Sequence, residues 1–524
     1  MSALLQPIFF KINPDTSSEL VLNNLLASVC KVAYLSTKKD RLTFYDTFEW
    51  QAYENGFVVY KKKNHLILAD LHSRNEACST AFQRLPFSFF PKYLPGCTMR
   101  EQLCSFTDVR GFFRLCTVEE HIRSYRIMDD NDKTIGILSL TSLSIADRKK
   151  ENPLTQYFSI RPLKGYQKEI FDIEKVFASY EELGRVLDFK ELFLSIMKAV
   201  DHNVLGYSTK IDLNLDADAP IYTSAQRLLQ FTLSVMRQNE AGIRKNIDSE
   251  FLHDFRVAIR RTRSVIKQLK GVFDPDETTR YLDFFKELGK LTNELRDLDV
   301  YLLRRETYYD YLPLFLQPPL PLFFNDIEAS HRLLHKKFCR FLGSNSYTTF
   351  IMEWNHVIKR ELLPDADKAP NAALSTKTVA VDSIKKAWRK VIRHGRHVSK
   401  ETTDSELHAL RIDCKKLRYL LEFFSSIFPQ NTIIPVIKQL KELQENLGDF
   451  VDFAVQVEFL HKRLEVLSSG GEKSLLAASM GGLMATLFQK QEEARRKFHR
   501  TFRLFDHDET SQLFHDLLTS NSAT

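Results

Sequence analysis

Two stretches of the chain carry the same basic pattern at helical spacing, and this repetition limits the possible folds more than any other feature. The first row, here called the first stripe, consists of His253, Arg256, Arg260, Arg263 and Lys267. Intervals of three and four residues place side chains on one face of an α-helix. An apolar row with the same intervals starts one residue earlier, at Leu252, and ends at Leu269. The pattern predicts an amphipathic helix whose basic stripe borders the core, about 100° around the helix from the apolar row.

A second stretch repeats this arrangement, with one change of charge at its end. It contains His408, Arg411, Lys415 and Arg418, here called the second stripe, and Glu422 stands where the first copy has lysine. Its apolar row again starts one residue earlier and runs over residues 407–421. Identical spacing in two copies favours an internal duplication.

Rows of like charge need a partner, because like charges four residues apart destabilise an isolated helix by a few tenths of a kcal/mol per pair. Solvent, internal carboxylates or an external anion can fill this role. A solvated face is the ordinary interpretation of a single row, and Asp297 and Asp299 are candidate internal carboxylates. Two copies beside the core favour an external anion.

We predict an α+β protein of more than one domain. A length of 524 residues exceeds the usual size of a single-core domain, which indicates more than one domain. Residues 1 to 165 contain short β-branched and aromatic runs, and residues 129–132 (DDND) indicate a hairpin turn between two of them. A helical pattern follows at residues 167–198. We predict a β-rich domain over residues 1–207, a polar linker over 208–220 and an all-α domain over 221–515.

The distribution of charge places any polyanionic partner on the all-α domain. The net charge is +7, and the first 220 residues carry equal numbers of basic and acidic side chains. All of the excess therefore lies after residue 220.

The seven cysteines form no CxxC pair, which favours a reducing compartment. No segment has the pattern of a signal peptide or a membrane span. We expect a cytoplasmic protein without a membrane partner.

The all-α part resembles the CHAD family, the conserved histidine α-helical domain. The resemblance rests on LHDFRVAIRRTRS, LTNELRDLDVYL, LHALRIDCKKLRYLLEFF and LKELQENLGDFVDFAV, which span about residues 221 to 510. It implies two related four-helix halves around a basic channel that binds inorganic polyphosphate, or another polyanion, without catalysis. Association with polyphosphate granules is then expected.

Carried over residue by residue, the resemblance implies a binding site made of both stripes and Tyr419. A further basic row on WRKVIRHGRHVSK extends this set with Arg389, Arg393 and Arg396. Arg261 and Lys416 lie one residue off the stripes and are left outside the set, and Glu422 is expected to pair with a stripe residue. Arg suits a phosphate chain because its planar fork can bind two phosphate oxygens.

The β-rich part resembles the CYTH or triphosphate-tunnel family at YDTFEWQAYENGFVVYKKK and FSIRPLKGY. The resemblance implies a tunnel-like barrel. The chain departs from the family's catalytic pattern, because it has no ExExK motif and Tyr60 and Lys62 occupy the LRxR positions. Ser159 and Arg161 stand where two glutamates are expected to hold a divalent cation. We therefore predict a degenerate domain with no catalytic residues and no bound metal.

Two other functions stay open from the sequence. One is a metal-dependent triphosphatase or polyphosphatase, and the other is a nucleic-acid-binding protein. Nucleic acid is the less favoured partner, because no RNA- or DNA-binding motif occurs and aromatic residues do not alternate with the stripes. No HExxH, Cys/His ligand set, GxxxxGK[ST] or GxGxxG is present, so no cofactor is predicted.

We expect the segment ahead of the predicted linker to lack triphosphatase activity with Mg²⁺ or Mn²⁺, because it lacks the carboxylates that would hold the cation. A phosphate-release assay on the pure segment checks this. Clear metal-dependent turnover would contradict it.

Overall fold

The computed structural model describes two compact units, Met1–Ser208 and Thr209–Thr524. The described residues are 8–13, 17–19, 22, 31–82, 84–146, 154–179, 183–186, 188–399, 401–467 and 471–519. The first unit is built around a β-sheet and the second consists of helices. The predicted α+β class, with a β-rich part ahead of an all-α part, is confirmed.

The first unit contains one antiparallel sheet. Its described strands are β1 (Ile8–Ile12), β2 (Lys31–Asp46), β3 (Phe57–Lys62), β4 (His65–Asp70), β5 (Glu76–Ala81), β6 (Ser88–Phe89), β7 (Phe112–Met128), β8 (Thr134–Ile145), β9 (Thr155–Pro162) and β10 (Leu183–Val186). They are ordered β10-β1-β9-β8-β7-β2-β3-β4-β5, and β6 pairs with β7. In the described part of the unit the two ends of this order, β10 and β5, do not pair with each other, so the closure that a tunnel requires is not confirmed.

Four described helices accompany the sheet. They are α1 (Gln51–Glu54), α2 (Thr98–Phe106), α3 (Gln167–Ser179) and α4 (Phe189–Ala199). Helix α4 packs Phe193 against Phe44 and Trp50 of one core, whereas α3 packs Phe177 in a second core with Phe158. The sheet is therefore covered by apolar helix faces, which is how an antiparallel sheet buries its side chains.

The predicted hairpin at residues 129–132 is confirmed, because β7 and β8 flank it as antiparallel neighbours. The predicted helix over residues 167–198 is wrong as one element. It is divided into α3, the strand β10 and α4. The apolar row that indicates the helix consists of Val176, Tyr180, Leu183 and Leu187, and Leu183 lies in the strand. Leu183 is buried in the second core and pairs with Ile12 of β1, so tertiary packing overrides the local helical period there. Tyr180 and Leu187 of that row fall outside the described residues.

The second unit is helical throughout. Its described α-helices are α5 (Ile221–Lys245), α6 (Ser249–Gln268), α7 (Pro275–Leu291), α8 (Asn293–Leu303), α9 (Arg305–Asp310), α10 (Leu320–Leu342), α11 (Asn345–Val357), α12 (Thr376–Arg396), α13 (Asp404–Phe423), α14 (Gln430–Glu465), α15 (Gly471–Phe505) and α16 (Asp508–Thr519). The first stripe lies on α6 and the second on α13. Both stripe helices follow a long helix and precede further helices that pack against them, α7 and α8 in one case and α14 in the other.

Side-chain capping fixes the start of each stripe helix. Asp248 accepts hydrogen bonds from the backbone N–H groups of Glu250 and Phe251 at the start of α6. Thr403 and Glu406 form a capping box at the start of α13. These bonds satisfy backbone donors that a helix terminus leaves unpaired, so each helix begins at a defined residue.

Both predicted apolar rows are buried along their whole length. No side chain in them is more than 4% exposed, and the members are Leu252, Phe255, Ile259, Thr262, Ile266, Leu269, Leu407, Leu410, Cys414, Leu417 and Leu421. Burial on this scale holds each helix face against the core. The stripes are thereby placed at the border of the core, as their spacing predicts.

The segment predicted as a linker, residues 208–220, contains no helix or strand, but it packs onto the helical unit. Ile211 and Leu215 are buried, and the Leu215 N–H donates to the Ser426 hydroxyl at 3.1 Å. Pro220 forms an isolated β-bridge with Ser375. From Thr209 onward the segment therefore belongs to the second unit.

Two helical glycines differ in the space beside them. A Cβ added at Gly395 of α12 would lie within 2.0 Å of the Phe502 ring, whereas one added at Gly481 of α15 would meet no atom within 4 Å. Helix α12 can therefore approach α15 closely because residue 395 has no side chain.

We expect Gly395→Ala to lower the free energy of unfolding by about 1 to 3 kcal/mol, the usual cost of overpacking. The matched control Gly481→Ala should raise it by about 0.5 to 1 kcal/mol, because alanine favours helix. Denaturant unfolding of both variants checks this, and equal effects would contradict the packing at Phe502.

Candidate functional site

The stripe side chains lie between core and solvent. Arg256, Arg260 and Arg263 of the first stripe are half-buried, and Lys267 at its end is exposed. His253, at its head, is also half-buried. A half-buried cation keeps its charge but has lost part of its hydration, so it gains more from an anion than a fully solvated cation does.

The two stripes interact at Arg260 and Lys415. Burial lowers the pKa of Lys415 to about 8, and repulsion from Arg411 and Arg260 acts in the same direction. Arg260 lies on α6 and Lys415 on α13. Because repulsion of this kind requires proximity, the two stripe helices contribute cations to one electrostatic environment.

Arg256 is held against the end of α7. Its Nη1 donates to the Gly289 carbonyl at 3.2 Å and to the Thr292 hydroxyl at 2.6 Å. Burial, followed by repulsion from Arg260, lowers the pKa of Arg256 to about 10, and Asp297 opposes the shift. Arg263 lies beside the same glycine, since a Cβ there would be 3.8 Å from its Nη1.

The second stripe is partly neutralised from inside the protein. Arg411 donates to Asp452 at 3.0 Å. Arg418 donates to Glu422 at 2.6 Å and to Gln444 at 3.2 Å. The expectation that Glu422 pairs with a stripe residue is confirmed.

Glu422 also connects the two stripe helices. Its second oxygen accepts a hydrogen bond from Arg261 of α6 at 3.2 Å, and Arg261 donates in addition to the Thr209 carbonyl at 2.5 Å. Arg261 is buried, and these fixed acceptors bind its two Nη groups, although its Nε has no hydrogen-bond partner among the described residues. Lys416, the other residue just off a stripe, pairs with Asp413 at 3.3 Å.

Two donors in the stripes have no acceptor. Among the described residues, the Nε atoms of Arg260 and Arg411 are buried without a hydrogen-bond partner. One belongs to each stripe. A buried donor without an acceptor costs about 1 to 3 kcal/mol, and more when it is charged. An anion between the stripes would supply the missing acceptors.

Two further predicted binding residues on α13 are His408, at the head of the second stripe, and Tyr419, next to Arg418. His408 is exposed as a whole residue, but partial burial of its ring, followed by repulsion from Arg411 and Lys415, lowers its pKa. Tyr419 is half-buried and its ring stacks on Phe423 of the same helix, with 6.1 Å between centroids.

The further row on α12 has different surroundings. Arg389 and Arg393 are exposed, and Arg396 forms a two-pronged ion pair with Asp506 at 2.7 and 2.8 Å. The side chains that α12 presents to α13 are instead Lys390 and His394, one position further along, and both lie 2.9 Å from Asp413. Helix α12 therefore contacts α13 through the ion pairs of Lys390 and His394 with Asp413, and the predicted arginine row does not make these contacts.

The internal carboxylates suggested by the sequence have other principal partners. Asp299 pairs with His331 at 2.9 Å, and Arg296 pairs with Glu250 at 3.4 Å. Burial raises the pKa of Asp297, while Arg256 and Arg296 oppose the shift. Asp452, by contrast, contacts the second stripe directly and was not singled out from the sequence. Its segment, LGDFVDF, carries no basic partner at helical spacing that would have indicated the pair.

The β-unit contains a separate buried charge network that the sequence did not indicate. Glu120 of β7 accepts hydrogen bonds from Lys62 at 2.8 Å and from Arg74 at 3.2 Å, and Asp40 lies 3.3 Å from Lys62. Ser159 lies opposite Ser139 in the neighbouring strand. Lys62 is therefore paired with carboxylates of its own chain.

No group of three or more histidine, cysteine or carboxylate side chains arranged for a metal occurs in the part of the chain that the structure describes. No helix within the described ranges is long and apolar enough to cross a membrane.

Comparison with known proteins identifies the helical unit. The CHAD domain model matches residues 227–461, so the chain contains a CHAD domain. The crystal structure of the CHAD domain from the plant Ricinus communis is 20% identical, with a TM-score of 0.43, and the match covers 60% of this chain and 97% of that one. PptA from Streptomyces chartreusis is 15% identical, with a TM-score of 0.42, and the match covers 54% and 100%. No curated protein matches the chain.

We expect Lys415→Met to raise the free energy of unfolding at pH 7 by about 1 to 3 kcal/mol. The folded state lowers the pKa of Lys415 from 10.5 to about 8, so below pH 8 its charge opposes folding. Between pH 8 and 10.5 the unfolded state binds more protons than the folded state, and the wild type gains stability as the pH rises. The advantage of the variant should therefore shrink over that interval.

Urea unfolding at pH 7 and pH 9.5 measures this difference. Lys441→Met is the control, because Lys441 is exposed on α14 and pairs with Glu445 only at 3.6 Å. A Lys415→Met variant that is less stable than the wild type at pH 7 would contradict the repulsion inferred at Lys415.

Proposed function

We propose that the helical unit binds inorganic polyphosphate through both stripes acting as one site, without catalysing a reaction on it. The observation that carries the proposal is the pair of buried Nε donors of Arg260 and Arg411, one in each stripe, that lack acceptors. The lowered pKa of Lys415 supports it, because cations that repel one another are stabilised when an anion comes between them.

The chemistry of the stripes suits a phosphate chain better than a single ion. Polyphosphate is a flexible chain of closely spaced negative charges with no bases to read, so charge, hydrogen-bond geometry and channel shape determine its recognition. Arginine can bind two phosphate oxygens with its fork, and lysine supplies a compact charge. A chain can contact the central cations Arg260, Lys415 and Arg263 together, and the CHAD domain in residues 227–461 supports this assignment.

Nucleic acid is the main rival, since it is also a polyanion. A base-stacking surface needs exposed aromatic faces beside the cations. Tyr419 is the one tyrosine in the proposed set, which contains no phenylalanine or tryptophan, and it stacks on Phe423 of its own helix. Competition between polyphosphate and single-stranded RNA of equal charge distinguishes the two, and we expect polyphosphate to displace RNA.

The proposal assigns no catalysis to the β-unit. Lys62, which stands in a position where the tunnel family carries a catalytic-site cation, is neutralised by Glu120 and Asp40. Metal-dependent triphosphate hydrolysis is the alternative, and the phosphate-release assay described above tests it. The proposed location is the cytoplasm, in association with polyphosphate granules.

Arg260→Ala and Lys415→Ala should each weaken polyphosphate binding by about 1 to 3 kcal/mol, the range for hydrogen bonds to charged groups. Each variant should also flatten the dependence of affinity on salt, because fewer counterions are exchanged when the chain binds. Fluorescence or calorimetric titration at several salt concentrations measures both quantities.

Lys290→Ala is the matched control, because Lys290 is an exposed lysine of α7 paired with Glu287 on its own helix. It should leave affinity and salt dependence unchanged. If Arg260→Ala and Lys415→Ala bind like the wild type but lose stability, the stripes are structural and the proposal is wrong.

A further inference from the structure

Asp452 is an acidic residue placed among the cations of the proposed site. It lies on α14, and its Oδ1 accepts a hydrogen bond from Nη2 of Arg411 at 3.0 Å. Its negative charge also raises the pKa of Lys415 against the effect of burial. Asp452 therefore stabilises two cations of the second stripe in the absence of any ligand.

The same charge reaches groups on other helices. Repulsion by Asp452 contributes to the raised pKa of Asp297 on α8 and of Asp449 on α14, after the larger effect of burial. Asp297 in turn attracts Arg256 of the first stripe. Asp452 thus acts on charged groups of three helices, namely Asp297 of α8, Lys415 of α13 and Asp449 of α14.

Asp452 differs from Glu422, the other carboxylate on the second stripe. The Glu422 side chain is 17% exposed and bridges Arg261 and Arg418, so it connects two helices. The Asp452 side chain is 50% exposed and, among the described residues, forms one ion pair, to Arg411 at 3.0 Å. A half-exposed ion pair contributes little to stability, so an incoming anion can replace it.

We propose that Asp452 competes with the phosphate chain for Arg411 and thereby sets the affinity and the length preference of the site. The inference rests on the proposed polyphosphate binding. A single phosphate that reaches Arg411 must replace the bond to Asp452 and meets its negative charge, so it gains little. A chain offsets the same loss through simultaneous contacts with Arg260 and Lys415. Asp452 therefore favours long chains over single phosphate ions.

Asp452→Asn tests this assignment, because it removes the charge and keeps the size of the side chain. We expect it to tighten binding of long-chain polyphosphate by roughly three- to fivefold, the equivalent of one partly exposed ion pair. It should also allow measurable binding of orthophosphate at concentrations where the wild type shows none. Glu458→Gln is the matched control: it makes the same change of charge on the same helix, at an exposed residue paired with Lys462. The control should leave both affinities unchanged.

A second variant links the effect to Arg411. In an Arg411→Ala background, the gain from Asp452→Asn should fall to less than half, because the competition for that guanidinium no longer exists. Asp452→Ser, which also removes the charge, repeats the test with a shorter side chain, and thermal melts of each variant check that it is folded.

The outcomes separate this inference from the proposed function. Wild-type protein that binds polyphosphate, together with an Asp452→Asn variant that binds equally or more weakly, would overturn the role of Asp452 and leave polyphosphate binding in place. Wild-type protein that binds no polyphosphate would overturn both. Equal gains in Asp452→Asn and Glu458→Gln would assign the effect to net charge and also overturn the specific role of Asp452.

Discussion

Burial of the two apolar rows is the interaction on which the rest of the helical unit depends. Each row lies one residue ahead of its basic stripe, and its side chains are almost completely removed from water. When the apolar face is buried, the rotation of the helix about its axis is fixed. The stripe then lies at the edge of the core even though its neighbouring cations repel one another. Hydrophobic burial is large compared with the repulsion of neighbouring cations, so the core holds Arg260 and Lys415 near each other although their charges repel.

The protein offsets this repulsion unevenly. Glu422 and Gln444 bind Arg418, and Asp452 binds Nη2 of Arg411, whereas the Nε atoms of Arg411 and Arg260 have no acceptor among the described residues. The repulsion between the stripe cations is therefore least compensated at the centre of the site, around Arg260. Sites that bind charged ligands commonly retain such a cost, since the ligand removes it on binding.

The sequence predicts those parts of this arrangement in which residues recur at helical spacing. The intervals of three and four from His253 to Lys267 predict both the helix and its buried face, and the repetition at His408 predicts a second copy. The pairing of Glu422 also follows from the sequence, because it stands four residues after Arg418 on the same helix. These features are local, so neighbouring residues in the chain determine them.

Contacts between distant segments could not be predicted in this way. Asp452 is far from Arg411 in the chain, and the buried network of Lys62, Arg74 and Glu120 joins three separated segments of the β-unit. The strand β10 lies inside a segment with a helical pattern, because pairing with β1 outweighs the local preference. On α12 the arginines have helical spacing, but the side chains that contact Asp413 of α13 are the adjacent Lys390 and His394.

The central claim is that the two stripes form one electrostatic site, and the ionisation of Lys415 tests it most directly. The pKa of the Lys415 amine can be followed by NMR of labelled lysine side chains, with its signal assigned from its loss in Lys415→Arg. The account predicts a pKa of about 8 in the wild type, a higher value in Arg260→Ala, and a higher value again when polyphosphate is added to the wild type. A pKa that is the same in the wild type, in Arg260→Ala and in the presence of polyphosphate would contradict it.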